Sequence, residues 1–296
     1  MRNNGFGRLI PAMITPFKPD LSIDLDKAQQ LALSLLDGGC DSVMLNGTTG
    51  ESPTLSRPER KSLFAAVIEA VGKRAPIIAN VGDNCTQDSV DFAKDVSKLD
   101  VDGFMVVIPY YNKPPQEGLY RHFASVASAV DKPIILYNIP GRCVINMTAQ
   151  TTLRLANDFE NIIAIKEASG KLDQIQTIIQ QAPQGFCVYS GDDSLTFDIM
   201  SLGGYGVIST AANVCPGKVK QLVDLCAAGS FDEAASVNDK LMPLFEGLFK
   251  TTNPILVKEA LRLCGFDAGG LRLPLVEATE EQSDDLLAVL KEVGVL

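Results

Sequence analysis

Lys166 ends a short apolar run, Ile162-Ile163-Ala164-Ile165, and is followed by Glu167-Ala168-Ser169-Gly170. A β-branched run this short, bounded by polar residues and glycine, predicts a strand buried on both faces. An ammonium at its end is costly to bury unless it is paired or neutralised. Taken alone, Lys166 reads as the place where a strand surfaces and its amine reaches water. The chemical reading is a Schiff-base nucleophile. Carbonyl condensation needs a neutral amine, a desolvated strand end lowers a lysine pKa, and the iminium formed draws electrons from the adjacent carbon. Tyr137 suits a general acid/base beside such an imine, and Thr48 and Tyr111 suit a relay from it to water. Arg142 offers a planar fork to a substrate carboxylate. Each has a plainer reading: a rim aromatic for Tyr137, a turn with hydroxyl caps for Gly47-Thr48-Thr49-Gly50, a surface arginine for Arg142. Asp192-Asp193 reads as an N-cap for a helix beginning near Ser194 rather than as a metal pair. Glu51 reads as a hydrogen-bond anchor for its loop, and His122 as a packed or exposed helix histidine.

These residues share a place in the predicted elements. Apolar runs alternate with helical patterns: Leu9–Thr15, Ser42–Leu45, Pro76–Val81, Gly103–Ile108, Pro133–Tyr137, Asn161–Lys166, Phe186–Ser190 and Tyr205–Ser209 read as eight strands. Eight strands alternating with helices over about 220 residues predict a (β/α)8 TIM barrel, whose reactive groups stand at the carboxyl ends of the strands. An open doubly wound sheet is the alternative, but no G-x-G-x-x-G follows the first strand. Ser56-Arg57-Pro58-Glu59 and Thr279-Glu280-Glu281-Gln282 are capping-box patterns that open helices. After about Gly229 only helical patterns remain. The expected organisation is a catalytic barrel over 1–228 and a small C-terminal helical domain over 229–296.

Composition narrows the function classes. In 296 residues, 46% are hydrophobic and 21% charged, so the chain is globular. A net charge of −10 argues against nucleic acid, which needs a basic face. No apolar run reaches membrane length, and Met1-Arg2-Asn3-Asn4-Gly5 opens no apolar signal core, which predicts a cytoplasmic protein. Seven scattered cysteines without a C-x-x-C pair read as reduced, mostly buried thiols. With a single histidine, neither a metal site nor a cofactor is expected.

Gly47-Thr48-Thr49-Gly50-Glu51-Ser52, Pro109-Tyr110-Tyr111-Asn112, Leu136-Tyr137-Asn138-Ile139-Pro140-Gly141-Arg142, Ile165-Lys166-Glu167-Ala168-Ser169-Gly170 and Ser190-Gly191-Asp192-Asp193 stand in the order and spacing of one family. From Gly7 to about Leu275, including Asn253-Pro254, the chain resembles the dihydrodipicolinate synthase (4-hydroxy-tetrahydrodipicolinate synthase) family. That family belongs to the class I pyruvate aldolases, which also hold N-acetylneuraminate lyase. The resemblance implies a pyruvate Schiff base on Lys166, and a relay of Tyr137, Thr48 and Tyr111, with Tyr111 reaching in from a neighbouring subunit. It implies that Thr49 holds the pyruvate carboxylate, Arg142 the carboxylate of aspartate 4-semialdehyde, and that Gly191 and Ile208 line the pyruvate end. It also implies a lyase of diaminopimelate and lysine biosynthesis, commonly a homotetramer built as a dimer of dimers. The positions of the family's lysine feedback site are Ser52, Pro53, Arg57, Arg60, Asn84, Asp88 and Tyr110. The chain departs from the pattern in two respects: Cys143 stands where threonine is usual, and Arg57 and Arg60 stand where lysine-sensitive members tend to carry histidine at one or both places. A sister aldolase acting on a sugar acid, such as N-acetylneuraminate or a 2-keto-3-deoxy acid, is the second reading. A non-catalytic barrel is the third, disfavoured by the presence of the lysine and every relay hydroxyl.

Overall fold

The structure, a computed structural model, describes residues 5–296. The first four residues, on which most of the signal-segment reading rests, lie outside the described residues. The chain divides into two compact units: Pro76–Ile208 with the residues up to Arg8, and Leu9–Ala75 with Ser209–Leu296.

The second of these contains β1 (Leu9–Pro11) and β2 (Val43–Leu45), both fully buried. Past β1 the Ala12 and Met13 N–H groups still donate to the Ser209 and Met44 carbonyls, but the Ile14 N–H is taken by the Asn213 side chain, so the predicted first strand does not run to Thr15. Helix Leu25–Asp37 follows β1, and helix Arg57–Val71 follows β2. The predicted capping box of Ser56 with Glu59 opens the latter, satisfying two otherwise orphaned backbone donors. The chain ends in helices Pro216–Ala227, Phe231–Gly247, Ile255–Leu263 and Glu280–Glu292. The last is opened by the predicted box of Thr279 with Gln282.

The other unit holds β3 (Ile77–Asn80), β4 (Gly103–Val107), β5 (Ile134–Asn138), β6 (Ile162–Glu167), β7 (Cys187–Ser190) and most of β8 (Gly206–Ser209). Each pairs with the next in parallel. Parallel neighbours require a long crossover, and helices Thr86–Val96, Gln116–Ala127, Ala149–Asp158, Leu172–Gln181 and Thr196–Ser201 supply it. Strands of such a parallel sheet are buried on both faces, by the crossover helices on one and by the sheet's own interior side chains on the other, which is why they read as continuous apolar runs rather than alternating ones. A single helical turn, Pro140–Cys143, lies inside a stretch that reads as loop. Pro140 presets the φ of its first position, and Val144 closes it in the left-handed conformation at φ 68°.

All seven cysteines are free thiols and five are buried, as their spacing predicts. Among the described residues no helix is long and apolar enough to cross a membrane.

Candidate active site

Lys166 lies next to the end of β6 with 5% of its surface exposed, and pairs in register with Tyr137 on β5. Its Nζ stands 4.5 Å from the centroid of the Tyr137 ring. Burial lowers its pKa from 10.5 to about 8; nearby Arg142 pulls the same way, while the charges of Asp193 and Asp192 oppose the shift. At pH 7 roughly a tenth of the lysine is therefore free amine, against well under one in a thousand at the ordinary value, and the side chain keeps its place in the core. Gly191 lets β7 close on it: a Cβ there would lie 2.8 Å from Ala168 Cβ and 3.1 Å from Lys166 Cγ. An amine titrating near 8 has a checkable consequence. The rate of imine formation from pyruvate should rise about tenfold per pH unit below that value and level off above it, because only the neutral amine attacks. A limb still rising past pH 9.5 would mean the amine is solvated.

The remaining groups of this unit sit at strand ends. Tyr137 is 4% exposed. Arg142 is exposed on the turn Pro140–Cys143, while the next residue, Cys143, is buried and its thiol donates to the Ile108 carbonyl at 3.5 Å. A thiol thus fills the place where the resembled family has a hydroxyl and retains a weak donor. Ile208 is buried on β8. Asp192 caps as predicted, accepting from the Ser194 N–H at 3.0 Å. Tyr111 differs from the rest: it is 88% exposed at φ 73°, and the Asn112 N–H bonds the Tyr110 carbonyl across it. That is a γ-turn with positive φ at its centre, the rare strained form, on a bulky residue. Asn84, Asp88 and half-buried Tyr110 lie in the same unit; Asn84 accepts from the Asn112 side chain at 2.8 Å. His122 is packed, 3.0 Å from the Thr86 hydroxyl, and burial lowers its pKa to about 4.

In the other unit the loop after β2 carries Thr48, Thr49 and Glu51. Thr49 is buried; its hydroxyl accepts from Asn253 Nδ2 at 2.8 Å and lies 3.5 Å from the Thr210 hydroxyl. Glu51 anchors its loop as expected, but by gripping the C-terminal segment. Its carboxylate meets Lys258 Nζ at 2.6 Å and accepts from the Arg272 N–H at 3.0 Å. Arg272 in turn pairs with Glu59 at 2.5 Å and donates to the Leu21 and Thr54 carbonyls. Ser52 begins a short 3-10 turn; Arg57 is exposed, and the Arg60 guanidinium donates to the Ser52 and Leu55 carbonyls at 2.6 and 2.9 Å. Among the described residues no three His, Cys, Asp or Glu side chains are placed to hold a metal ion.

A family model described as the dihydrodipicolinate synthetase family matches residues 5–293. The chain belongs to that family. It is 52% identical over 291 residues to the 4-hydroxy-tetrahydrodipicolinate synthase of Moorella thermoacetica, covering 98% of this chain and 99% of the relative. Among solved structures, the dihydrodipicolinate synthase of Cyanidioschyzon merolae with lysine bound is 42% identical with a TM-score of 0.96, covering 98% of this chain and 99% of that one. The chloride-inhibited enzyme of Acinetobacter baumannii complexed with pyruvate is 36% identical with a TM-score of 0.95, covering 98% and 100%. The fold is the TIM barrel with C-terminal helices of the dihydrodipicolinate synthetase family, as the eight predicted strands required.

Sequence reasoning missed several residues that hold this family's motifs in place. Asn253 reaches Thr49 across 204 positions of chain, Lys258 reaches Glu51 from helix Ile255–Leu263, and the backbone N–H of Arg272 reaches it from the segment after that helix. The signal available for the last two was cationic residues among apolar neighbours, the same anomaly that singles out Lys166.

Proposed function

We propose that the neutral amine of Lys166 condenses with the keto carbon of pyruvate, expelling water, and that the resulting iminium drives every later step. The activity is that of a 4-hydroxy-tetrahydrodipicolinate synthase, a lyase that joins pyruvate to L-aspartate 4-semialdehyde. The observation that carries the reading is the desolvated Lys166 in register with Tyr137. Loss of a proton from the pyruvate methyl gives an enamine, which attacks the aldehyde carbon; the alkoxide formed takes a proton, and water or the substrate's own amine releases Lys166. Tyr137 is the acid/base beside the imine, with Thr48 and Tyr111 passing the proton to solvent. Exposure and a strained turn in the isolated chain support Tyr111 serving a neighbouring subunit, within a homotetramer arranged as a dimer of dimers. Asn253 donates to the Thr49 oxygen, which leaves the Thr49 hydroxyl hydrogen to donate to the pyruvate carboxylate. Gly191 and Ile208 line the pyruvate end, and the exposed fork of Arg142 takes the carboxylate of the aldehyde. The helices of 229–296 serve as a C-terminal domain, and the enzyme works in the cytoplasm.

Assaying purified protein with pyruvate and either aspartate 4-semialdehyde or N-acetylmannosamine tests the choice of partner. Turnover with the semialdehyde is expected; turnover confined to the sugar would replace this reading with that of a sister aldolase.

Lysine should inhibit weakly or not at all. The Arg60 cation is fixed by two carbonyls, and Arg57 adds a second charge on the same helix, both beside positions proposed to meet a ligand that is itself cationic. A cooperative inhibition curve at roughly 1 mM lysine or below, an affinity worth about 4 kcal/mol, would contradict this.

A further inference from the structure

We propose that Glu167 is a positioning residue that fixes where Arg142 stands relative to Lys166, acting through Asn138 and Gln174. The proposal rests on the roles given above to Lys166 and Arg142. Glu167 follows Lys166 on β6, and alternation along a strand sends the two side chains to opposite faces. Its carboxylate is buried, with 1% exposure. Oε1 accepts from the Ser169 N–H at 2.9 Å and from Asn138 Nδ2 at 3.0 Å; Oε2 lies 3.2 Å from the same nitrogen and accepts from Gln174 Nε2 at 3.1 Å.

The same two amides hold the far end of the Arg142 segment. Asn138 Oδ1 accepts from the Met147 N–H at 3.0 Å, and Asn138 Nδ2 lies 2.9 Å from Asn146 Oδ1. Gln174 Oε1 accepts from Asn146 Nδ2 at 2.8 Å, and Gln174 Nε2 lies 3.2 Å from the Met147 carbonyl. The chain therefore leaves β5 at Asn138, passes through the exposed turn bearing Arg142, and returns at Asn146-Met147 to the side chain of that same Asn138.

An amide has one donor end and one acceptor end of nearly equal size, so its partners decide which way it points. Burial raises the Glu167 pKa, but the Ser169 N–H and the Asn138 and Gln174 amide groups all donate to its carboxylate, which holds it as the ionised, accept-only form. Facing Asn138 and Gln174, Glu167 turns both NH2 groups toward itself. That leaves Asn138 Oδ1 to receive Met147 and Gln174 Oε1 to receive Asn146. Glu167→Gln keeps the shape and introduces a donor into this set of donors. One amide must then turn, and the return point of the loop loses an acceptor.

The test separates the two substrates. Glu167→Gln is expected to raise KM for aspartate 4-semialdehyde roughly tenfold, the effect of one lost hydrogen bond at a buried group. KM for pyruvate should stay within about twofold, and borohydride with pyruvate alone should still trap the imine on Lys166. Gln174→Leu lies farther from the reacting atoms, cuts the same link, and should show the same split should the first variant fold poorly. An unchanged semialdehyde KM in the folded variants would overturn the proposal. So would KM values for both substrates that rise together, since that marks general loosening. Failure of the unsubstituted enzyme to trap pyruvate would instead remove the catalytic reading on which the proposal stands.

Discussion

Lys166→Met should abolish turnover, by roughly 10⁴-fold or more as for removal of other covalent nucleophiles, while the protein stays folded. The expectation follows from two features of the same side chain. Its amine is the group proposed to bond pyruvate, and without it neither the electron sink nor the enamine exists. Its position is buried, between the closely packed Gly191 and the Tyr137 ring, with the charges of Asp193, Arg142 and Asp192 acting on it. Methionine fills that volume and removes the cost of keeping an amine there, so the thermal midpoint should hold or rise. Circular dichroism and a melting curve taken beside the activity assay separate loss of chemistry from loss of fold. Retention of even a tenth of the turnover would require another nucleophile.

Lys258→Met should cost stability, by about 3–5 kcal/mol, because it strands a buried carboxylate. The side chains of Lys258 and Glu51 are 3% and 0% exposed and meet at 2.6 Å. Lys258 also donates to the Gly270 carbonyl at 2.8 Å and stands 4.1 Å from the centroid of the Phe17 ring. Burial lowers its pKa, with the Glu51 charge opposing, which marks an ammonium held in the core by its partner. Adding Glu51→Gln removes the stranded charge while keeping an oxygen for the Arg272 N–H, so the double variant should regain more than half of the loss. Chemical denaturation of both variants checks this. Equal destabilisation of single and double would show that packing, not charge, holds the site. Because Glu51 fixes the loop of Thr48 and Thr49, turnover should fall in the single variant and partly return in the double.

The parts legible in the sequence were those that local pattern encodes. Ile162–Glu167 and its sister strands announce themselves as apolar runs, and Ser56 and Thr279 announce their helices by the residue three places on. Lys166 stood out because it breaks an apolar run, and the strand-end rule for this fold gathered Tyr137 and Arg142 around it. The turn Pro140–Cys143 has four residues, too few to show a helical period. The left-handed Tyr111 carries no glycine or asparagine to betray it. The supports of the site were the least legible. Asn253 to Thr49 and Lys258 to Glu51 join distant stretches of chain, and nothing local to either residue names its partner. Asn138, Gln174 and Glu167 are ordinary polar residues in sequence; only their burial around one carboxylate gives them a purpose.

The central claim is that Lys166 forms an imine with pyruvate, and reductive trapping tests it most directly. Incubation with pyruvate and borohydride, followed by peptide mass analysis, should show one irreversible adduct per chain, on the peptide containing Lys166. Absence of an adduct, or an adduct on another lysine with Lys166 unmodified, would contradict the account.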